Sequence, residues 1–207
     1  MQKTVDKRIV IRKVSGTAYE IPDSEIIDFK STESVESFCG LFELSLHTEN
    51  KETRDLVGPK DEIEIWVGYK DQGLNKIMAG YIDRVVIEKK ESSAEIMYVF
   101  GRSYDSILTD HKVSGKIDYT KGYSEVIKQL LKYTPFSEGN IENTEGSGTV
   151  IFKDTPLIDI IRQVSEEATL VYKVDFDKKF HFCRNVSKTV AKPLDSKSIK
   201  SYRVVKQ

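Results

Sequence analysis

Three stretches of the sequence contain residue types that could bind a metal or catalyse a reaction. His181 and Cys183 lie two apart on a predicted strand, so their side chains share one face and supply half of a zinc site. The other candidate ligands, His47, His111 and Cys39, have no spacing typical of a ligand pair. A pair of partly buried strand residues is the simpler interpretation, and we predict no metal site.

Glu62 and Glu64 share one face of another predicted strand. Paired carboxylates can act as a general acid and base, but on a strand such a pair usually forms a solvated face. Trp66 continues this face, and an outward tryptophan indicates a contact surface. The segment Gly101-Arg102-Ser103 has one glycine and no helix directly after it, so it is no phosphate-binding loop. We predict no catalytic residue, no cofactor and no enzymatic activity.

The amino-acid composition excludes further classes of protein. The chain has 207 residues, enough for one large or two modest domains. Its charged residues nearly cancel to a net charge of -1, which argues against a dedicated nucleic-acid-binding protein and against a polybasic membrane-surface protein. The sequence contains no signal-peptide pattern and no apolar run near the ~18 residues that a membrane span needs. We therefore expect a soluble protein with two buried thiols, one long-range disulfide being the alternative.

The longest predicted unit is a hairpin in the middle of the chain. Its strands cover Ile77–Ile87 and Ala94–Phe100, and the polar turn Glu88–Ser93 joins them. The second strand alternates with period 2, which is typical of a sheet with two different faces. Gly101-Arg102-Ser103 is predicted to end this strand. The earlier strands are predicted to pair onto the hairpin.

Shorter alternating segments precede the hairpin and predict further strands. These segments are Arg8–Val14, Glu25–Lys30, Phe38–His47 and Glu62–Tyr69. Asn50–Lys60 contains Gly58-Pro59 and is predicted to be a charged loop, and Asp71-Gln72-Gly73 a turn. With no convincing helix before residue 103, this part is predicted to be an antiparallel barrel or sandwich.

Helical periodicity begins after Asp110. Two helices are predicted, Lys121–Tyr133 and Pro156–Ala168, with Thr155 capping the second and Pro156 in its first position. Their apolar stripes are Val126, Ile127, Leu130 and Leu131 in the first helix and Leu157, Ile160, Ile161 and Val164 in the second. Short strands are predicted at Thr149–Lys153, Leu170–Phe176 and Phe180–Arg184, and Ser137–Gly148 is predicted to be a loop.

The fold class predicted from these patterns is mainly β with an α+β addition. Residues 1–110 are predicted to form the barrel, 111–184 a small α+β domain, and 185–207 a linker with the start of a possible second barrel at Ile199–Val205. The two helices and the last hairpin can form their own core outside the barrel. Alternatively, the helices lie flat on the outer face of the barrel.

A set of glycines and sheet positions resembles a known family. These positions are Val35-Glu36-Ser37-Phe38, Gly40, Phe42, Asp61, Gly68, Gly80, Ile82-Asp83, Val85, Gly101-Arg102 and Asp110, with Ser124–Leu131 and Phe152–Val174 downstream. The pattern looks like the baseplate hub proteins of tailed phages, including the late-control gene D type, the hub of T-even baseplates and the hubs of related contractile particles. The resemblance covers nearly the whole chain and rests on structural positions, not on an active site.

The resemblance implies an antiparallel tail-tube-type β-barrel in a virion structural protein that joins the tail tube to the central spike. Its expected partners are itself, in a trimer or hexamer ring, the tail tube protein, the spike protein and other baseplate proteins. DNA or cargo would pass through the lumen without specific binding. A strongly cationic lumen would bind phosphates and slow this passage. The expected location is the virion tail, assembled in the host cytoplasm. Family hubs usually continue into a second barrel, which only the last residues of this chain could begin.

The candidate assembly residues are Trp66, Asp83, Arg102 and Asp105. The planar fork of Arg102 is suited to a carboxylate, within the subunit or across the ring. Asp83 is the first choice of partner, and Asp105 and Asp110, which are near in sequence, are the alternatives.

Three glycines, Gly40, Gly80 and Gly101, are predicted to be structural. For Gly101 we expect a positive φ or a close approach of another chain segment, with ordinary strand termination as the alternative. Two other functions remain open: a β-barrel module that binds an oligonucleotide or a glycan, and a tail-associated cell-wall hydrolase.

Overall fold

The computed structural model describes residues 5–32, 39–47, 51–69, 73–89 and 95–184. A seven-stranded antiparallel sheet is followed by a smaller part with helices and strands, so the predicted fold class is confirmed. Residues 35–38, 71–72, 90–93 and 185–207 lie outside the described residues. The predictions that fall on these residues are the Val35-Glu36-Ser37-Phe38 part of the family pattern, parts of the turns Asp71-Gln72-Gly73 and Glu88–Ser93, and the linker with a final strand.

The hairpin predicted from alternation forms the centre of the sheet. The seven strands are β1 (Val5–Arg12), β2 (Ala18–Ile21), β3 (Ile26–Thr32), β4 (Leu41–His47), β5 (Glu62–Tyr69), β6 (Gly73–Glu88) and β7 (Ile96–Ser103). They lie in the order β2-β1-β5-β6-β7-β4-β3. The prediction that Gly101-Arg102-Ser103 ends the strand is wrong. Strand β7 continues because Gly101 pairs with Phe42 of β4 on one side and Ile82 of β6 on the other.

The sheet curls around one hydrophobic core to which all seven strands contribute. Ile9 and Ile11 point inward, and both are fully buried. The two edge strands add Ile21 and Ile26 to the same core. The ammonium of Lys7 on β1 donates to the carbonyl oxygen of Ile26 on β3 at 3.1 Å. This contact and the shared core bring the two ends of the sheet close together.

The prediction of no helix before residue 103 is wrong. A six-residue helix, α1 (Lys51–Leu56), lies within the segment predicted to be a charged loop. It is too short to show an apolar period, and it is attached through the buried Thr53 and Val57. The sequence pattern does not predict that Thr53 is buried.

The second part of the chain contains more elements than the sequence predicts. They are α2 (Ser106–Asp110), β8 (Lys112–Tyr119), α3 (Tyr123–Leu131), β9 (Ser137–Ile141), β10 (Gly148–Pro156), α4 (Leu157–Ala168), β11 (Val171–Val174) and β12 (Lys179–Cys183). Strands β8 and β10 form a two-stranded ribbon, and β11, β12 and β9 form a three-stranded sheet. The loop predicted at Ser137–Gly148 is wrong for its first five residues. Strand β9 is polar and pairs in parallel with β12 through its backbone, without alternation.

Both long helices are confirmed, and all eight residues of their predicted stripes are buried. The predicted cap of α4 is wrong, however. Strand β10 continues through Pro156, which has the extended angles φ -56 and ψ 138, so α4 begins at Leu157. The Thr155 hydroxyl donates to the carbonyl oxygen of Lys153 at 3.1 Å and does not cap the helix.

A second hydrophobic core, separate from the first, is formed by the helix stripes and by β8–β12. Tyr104 and Leu108, which directly follow β7, are buried in this core, and so is Ala79 on the outer face of β6. We call the described part of 5–103 the sheet unit and residues 104–184 the second unit. No helix in the described ranges is long and apolar enough to cross a membrane.

Candidate assembly site

Arg102 lies between two carboxylates at the end of β7. A β-bulge in β6 leaves Asp83 as an extra residue between Ile82 and Arg84, and such a bulge re-aims a side chain. The Arg102 guanidinium donates from Nε and Nη2 to the two oxygens of Asp83 at 2.8 and 3.0 Å. This is the predicted fork-shaped pair, and it forms within the subunit.

A second carboxylate completes what we call the arginine clamp, namely Asp83, Arg102 and Asp110. The nitrogens Nη1 and Nη2 of Arg102 donate to the two oxygens of Asp110 at 3.0 and 2.7 Å. Hydrogen bonds to Asp83 and then to Asp110 raise the pKa of Arg102. Because Asp110 ends α2 in the second unit, the clamp links the two units where the chain crosses between them.

Asp105 directly precedes α2. It accepts a hydrogen bond from the hydroxyl of Ser103. The Ser103 Oγ in turn accepts from the backbone N–H of Gly40 at 2.6 Å, and the Ser103 N–H donates to the carbonyl oxygen of Gly40 at 2.9 Å. Gly40 is therefore held to the end of β7 through its backbone, and Asp105 fixes the serine that holds it.

Trp66 is half-buried on the outer face of β5 and is covered by a lysine. The Nζ of Lys76 lies 5.0 Å from the centre of the indole ring, a cation–π distance. The same ammonium donates to Glu64 at 3.0 Å and to Asp177 at 2.9 Å. Trp66 thus lies where the second unit meets the sheet unit, and not on an open face.

Glu62 is also engaged by the second unit. One of its carboxylate oxygens accepts from the Nζ of Lys178 at 2.6 Å, and the other accepts from the hydroxyl of Tyr104 at 3.1 Å. The sequence predicts the shared face of Glu62 and Glu64, but it has no local signal for Lys76, Asp177 and Lys178. The pairing of these lysines with the two glutamates is hard to predict from sequence, because more than 100 residues separate Lys178 from Glu62.

Gly80 and Gly101 lie where two strands approach closely. A Cβ at Gly80 would lie 2.0 Å from the carbonyl oxygen of Arg102, and one at Gly101 would lie 2.1 Å from that of Tyr81. Neither glycine has a positive φ. The close-approach version of the Gly101 prediction is therefore the one the structure supports.

His181 is engaged in a hydrogen-bond network in the second unit. Its Nδ1 accepts from the backbone N–H of Asn140 at 3.1 Å, and its Nε2 lies 3.1 Å from a carboxylate oxygen of Asp175. Because Nδ1 accepts, the ring carries its proton on Nε2, and this N–H donates a hydrogen bond to Asp175. Within the described residues, no three His, Cys, Asp or Glu side chains form a group that could hold a metal ion.

Asp175 stabilises the turn between β11 and β12. Burial acts to raise its pKa, but hydrogen bonds from the N–H of Lys179, from His181 and from the N–H of Asp177 outweigh it, so the pKa is lowered. A group whose pKa is lowered in the folded state stabilises the protein above its unfolded pKa of about 3.9. That stabilisation is lost as the pH falls through the folded pKa.

We expect Asp175→Asn to flatten the pH dependence of the free energy of unfolding below about pH 4, because asparagine cannot be protonated there. Urea unfolding at several acidic pH values measures this slope. Asp28→Asn, an exposed change on β3, is the control. A slope that Asp175→Asn leaves unaltered would contradict the role assigned to this carboxylate.

We expect Arg102→Lys to lower the free energy of unfolding by about 1 kcal/mol, because an ammonium cannot replace two fork-shaped contacts. Chemical denaturation of both proteins measures the difference. Arg84→Lys is the matched control, since Arg84 lies 4.6 Å from the centre of the Phe100 ring and a lysine can keep a cation there. Equal losses in both variants would show that the clamp adds nothing specific.

The fold of this chain is similar to the folds of known proteins, although its sequence is not. No protein-family model and no curated protein matches the sequence. The 43 kDa tail protein of prophage MuSo2 from Shewanella oneidensis aligns with 85% of the chain at 16% identity, with a TM-score of 0.62. A tail protein from Neisseria meningitidis MC58 aligns with 85% of the chain at 14% identity, with a TM-score of 0.59. The chain has a tail-protein fold.

The tail-protein fold also matches a chain of the lidded Francisella PdpA-VgrG complex. That alignment covers 92% of this chain and 30% of the other at 13% identity, with a TM-score of 0.57. The present chain covers 54% and 51% of the two tail proteins and so spans about half of their length.

Proposed function

We propose that the chain is a structural protein of a phage tail or a related injection machine, and that it acts as the hub between the tail tube and the central spike. The observation that carries the proposal is the fold shared with two tail proteins over 85% of the chain. The similarity to a chain of the PdpA-VgrG complex adds support from a second kind of assembly.

The proposed mechanism is assembly geometry. The sheet units of several copies, in a trimer or hexamer, would form a ring wall around the channel, with the tail tube protein, the spike protein and other baseplate proteins as partners. DNA or cargo would pass without specific binding. The net charge of -1 is compatible with such passage, whereas a cationic wall would bind phosphates and slow transit.

We propose that the second unit lies outside this ring as a domain of its own, and that it begins at Tyr104. Its helices bury their stripes against its own strands and not flat on the sheet. A division at 110 would separate Tyr104 and Leu108 from the core in which they are buried. Residues 104–184 are therefore a better fragment for folding studies than 111–184.

The residues needed for the other two functions are already engaged in the structure. A ligand-binding barrel would use exposed aromatic residues, but Trp66 lies under Lys76. A hydrolase would use a pair such as Glu62 and Glu64, and both carboxylates bind lysines of the joint between the units. We therefore propose a structural role and not an enzymatic one.

Native mass spectrometry of the purified chain, alone and mixed with the tail tube protein of the same source, tests the proposal. We expect a closed oligomer of three or six copies, or such an oligomer bound to tube protein. A strict monomer that never joins the tube protein would contradict the hub and favour the ligand-binding module.

Arg102→Lys and Trp66→Leu are informative variants in this measurement. Arg102 and Trp66 both lie in contacts within the chain, so a loss of oligomer in variants that remain folded would assign them a direct assembly role. Oligomers of unchanged abundance at low and high salt would remove them from the assembly surface.

A further inference from the structure

Besides the apolar packing of Ala79 and Tyr81 against the second core, polar contacts of the described residues join the two units at two places that are distant in sequence. The first is the arginine clamp, beside the point where the chain leaves β7 and enters α2. The second is the turn 175–178 between β11 and β12, which lies against the outer face of β5 and β6. A pivot and a second, remote attachment together determine how far one unit can rotate relative to the other.

Lys76 is the centre of the remote attachment. Only 14% of its side chain is exposed, and its ammonium contacts Glu64, Asp177 and the carbonyl oxygen of Phe176, the last at 3.4 Å. Burial acts to lower the pKa of Lys76, but hydrogen bonds to Asp177 and Glu64 outweigh it and raise the pKa. The charged lysine therefore bridges a carboxylate of the sheet unit and one of the second unit.

Lys178 extends in the opposite direction, from the second unit to the sheet unit. Besides its bond to Glu62, its ammonium lies 4.8 Å from the ring centre of Tyr104 and 5.6 Å from that of Tyr81. The two rings meet edge to face at 5.1 Å. Burial and then the nearby Glu62 raise the pKa of Tyr104, so its hydroxyl stays protonated and donates to Glu62.

The backbone of Lys178 supports a role for its side chain. Its φ is +60, in the left-handed region that glycine and asparagine occupy most easily. Residues held in such conformations are found where the surroundings require them. The turn is also fixed from within, because Asp175 accepts from the N–H groups of Asp177 and Lys179 at 2.9 and 2.8 Å.

We propose that Glu62, Glu64, Lys76, Asp177 and Lys178 form an electrostatic latch that fixes the angle between the two units. When the latch is released, the second unit swings about the arginine clamp. The Asp177 side chain is 69% exposed, so salt is expected to screen its contact with Lys76 and to weaken the latch as ionic strength rises. The latch is a property of the joint and is independent of the proposed function.

Distances between spin labels on the two units test the latch in the full chain. One label replaces Asp28, exposed on β3, and the other replaces Glu166, exposed on α4. Cys39 and Cys183 are first changed to alanine so that the labels are specific. Double electron–electron resonance then gives the distribution of distances between the units.

Lys178→Gly is the informative variant, because glycine relaxes the left-handed turn while removing the ammonium. We expect its distance distribution to broaden roughly twofold, since relative domain motion is the default across small interfaces. Lys60→Gly is the matched control, because Lys60 also has a positive φ, of 72, and is not one of the five latch residues. The control is expected to keep the narrow distribution of the parent protein.

Salt provides a test without mutation. We expect the distribution of the parent protein to broaden between low salt and about 1 M salt, where the screening length falls to about 3 Å. Equal narrow distributions for the parent protein, for Lys178→Gly and at both salt concentrations would overturn the latch. Small-angle scattering of the protein with its native cysteines repeats the salt comparison and excludes an effect of the labels.

Discussion

Replacing Gly101 by alanine is expected to lower the free energy of unfolding by about 3 kcal/mol, the size of a severe overpacking effect. The added Cβ would lie 2.1 Å from the carbonyl oxygen of Tyr81 and 2.3 Å from Cζ of Phe42. The first atom belongs to a paired strand, and the second to a ring buried in the sheet core. Neither can move without breaking the sheet ladder or opening the core.

Thermal unfolding followed by circular dichroism measures the effect. A loss of 3 kcal/mol in a chain of this size corresponds to a decrease of roughly 6–12 °C in the melting temperature. Gly58→Ala is the matched control, because its Cβ would meet its nearest neighbour at 3.5 Å. Equal melting temperatures for Gly101→Ala and the parent protein would refute the close approach.

Phe180→Ala is expected to be the most damaging single change in the second unit, at about 4 kcal/mol. Phe180 is fully buried on β12, the central strand of its sheet, and its ring stacks on Tyr172 with centres 6.1 Å apart. The cavity left by the ring would be surrounded by helices and strands that are packed on every side. Because the two cores are separate clusters, the sheet unit should remain folded.

Hydrogen exchange followed by mass spectrometry separates the two units. In Phe180→Ala, peptides from residues 104–184 should lose protection while those from the sheet unit keep it. Leu44→Ala, at a fully buried position of the sheet core, should show the reverse pattern. Equal loss of protection throughout the chain in both variants would mean that the cores unfold as one.

The parts of the fold predicted from sequence are those in which a period matches burial. Strand β5 was predicted with its observed bounds, Glu62–Tyr69, because alternation and flanking turn residues agree. The stripes of α3 and α4 were predicted because each helix buries one face. Elements without a period were missed, among them β9, whose residues Ser137–Ile141 contribute little beyond backbone pairing.

The candidate site was predicted where partners are close along the chain. Arg102 and Asp83 belong to the two strands of one hairpin, so their pairing followed from the hairpin itself. The role of Trp66 was harder to predict, because the lysine above it is held by Asp177, which is 101 residues from Lys76. Contacts of this range depend on how two units pack, and a local pattern carries no information about that.

Cryo-electron microscopy of the particle in which this chain is found tests the proposed hub role. For a hub, we expect density for the sheet unit in a closed ring between the last ring of the tail tube and the base of the spike. The second unit, residues 104–184, should lie on the outside of that ring. Density for the chain at the tube tip, on a fibre or nowhere in the particle would contradict the assignment as a hub.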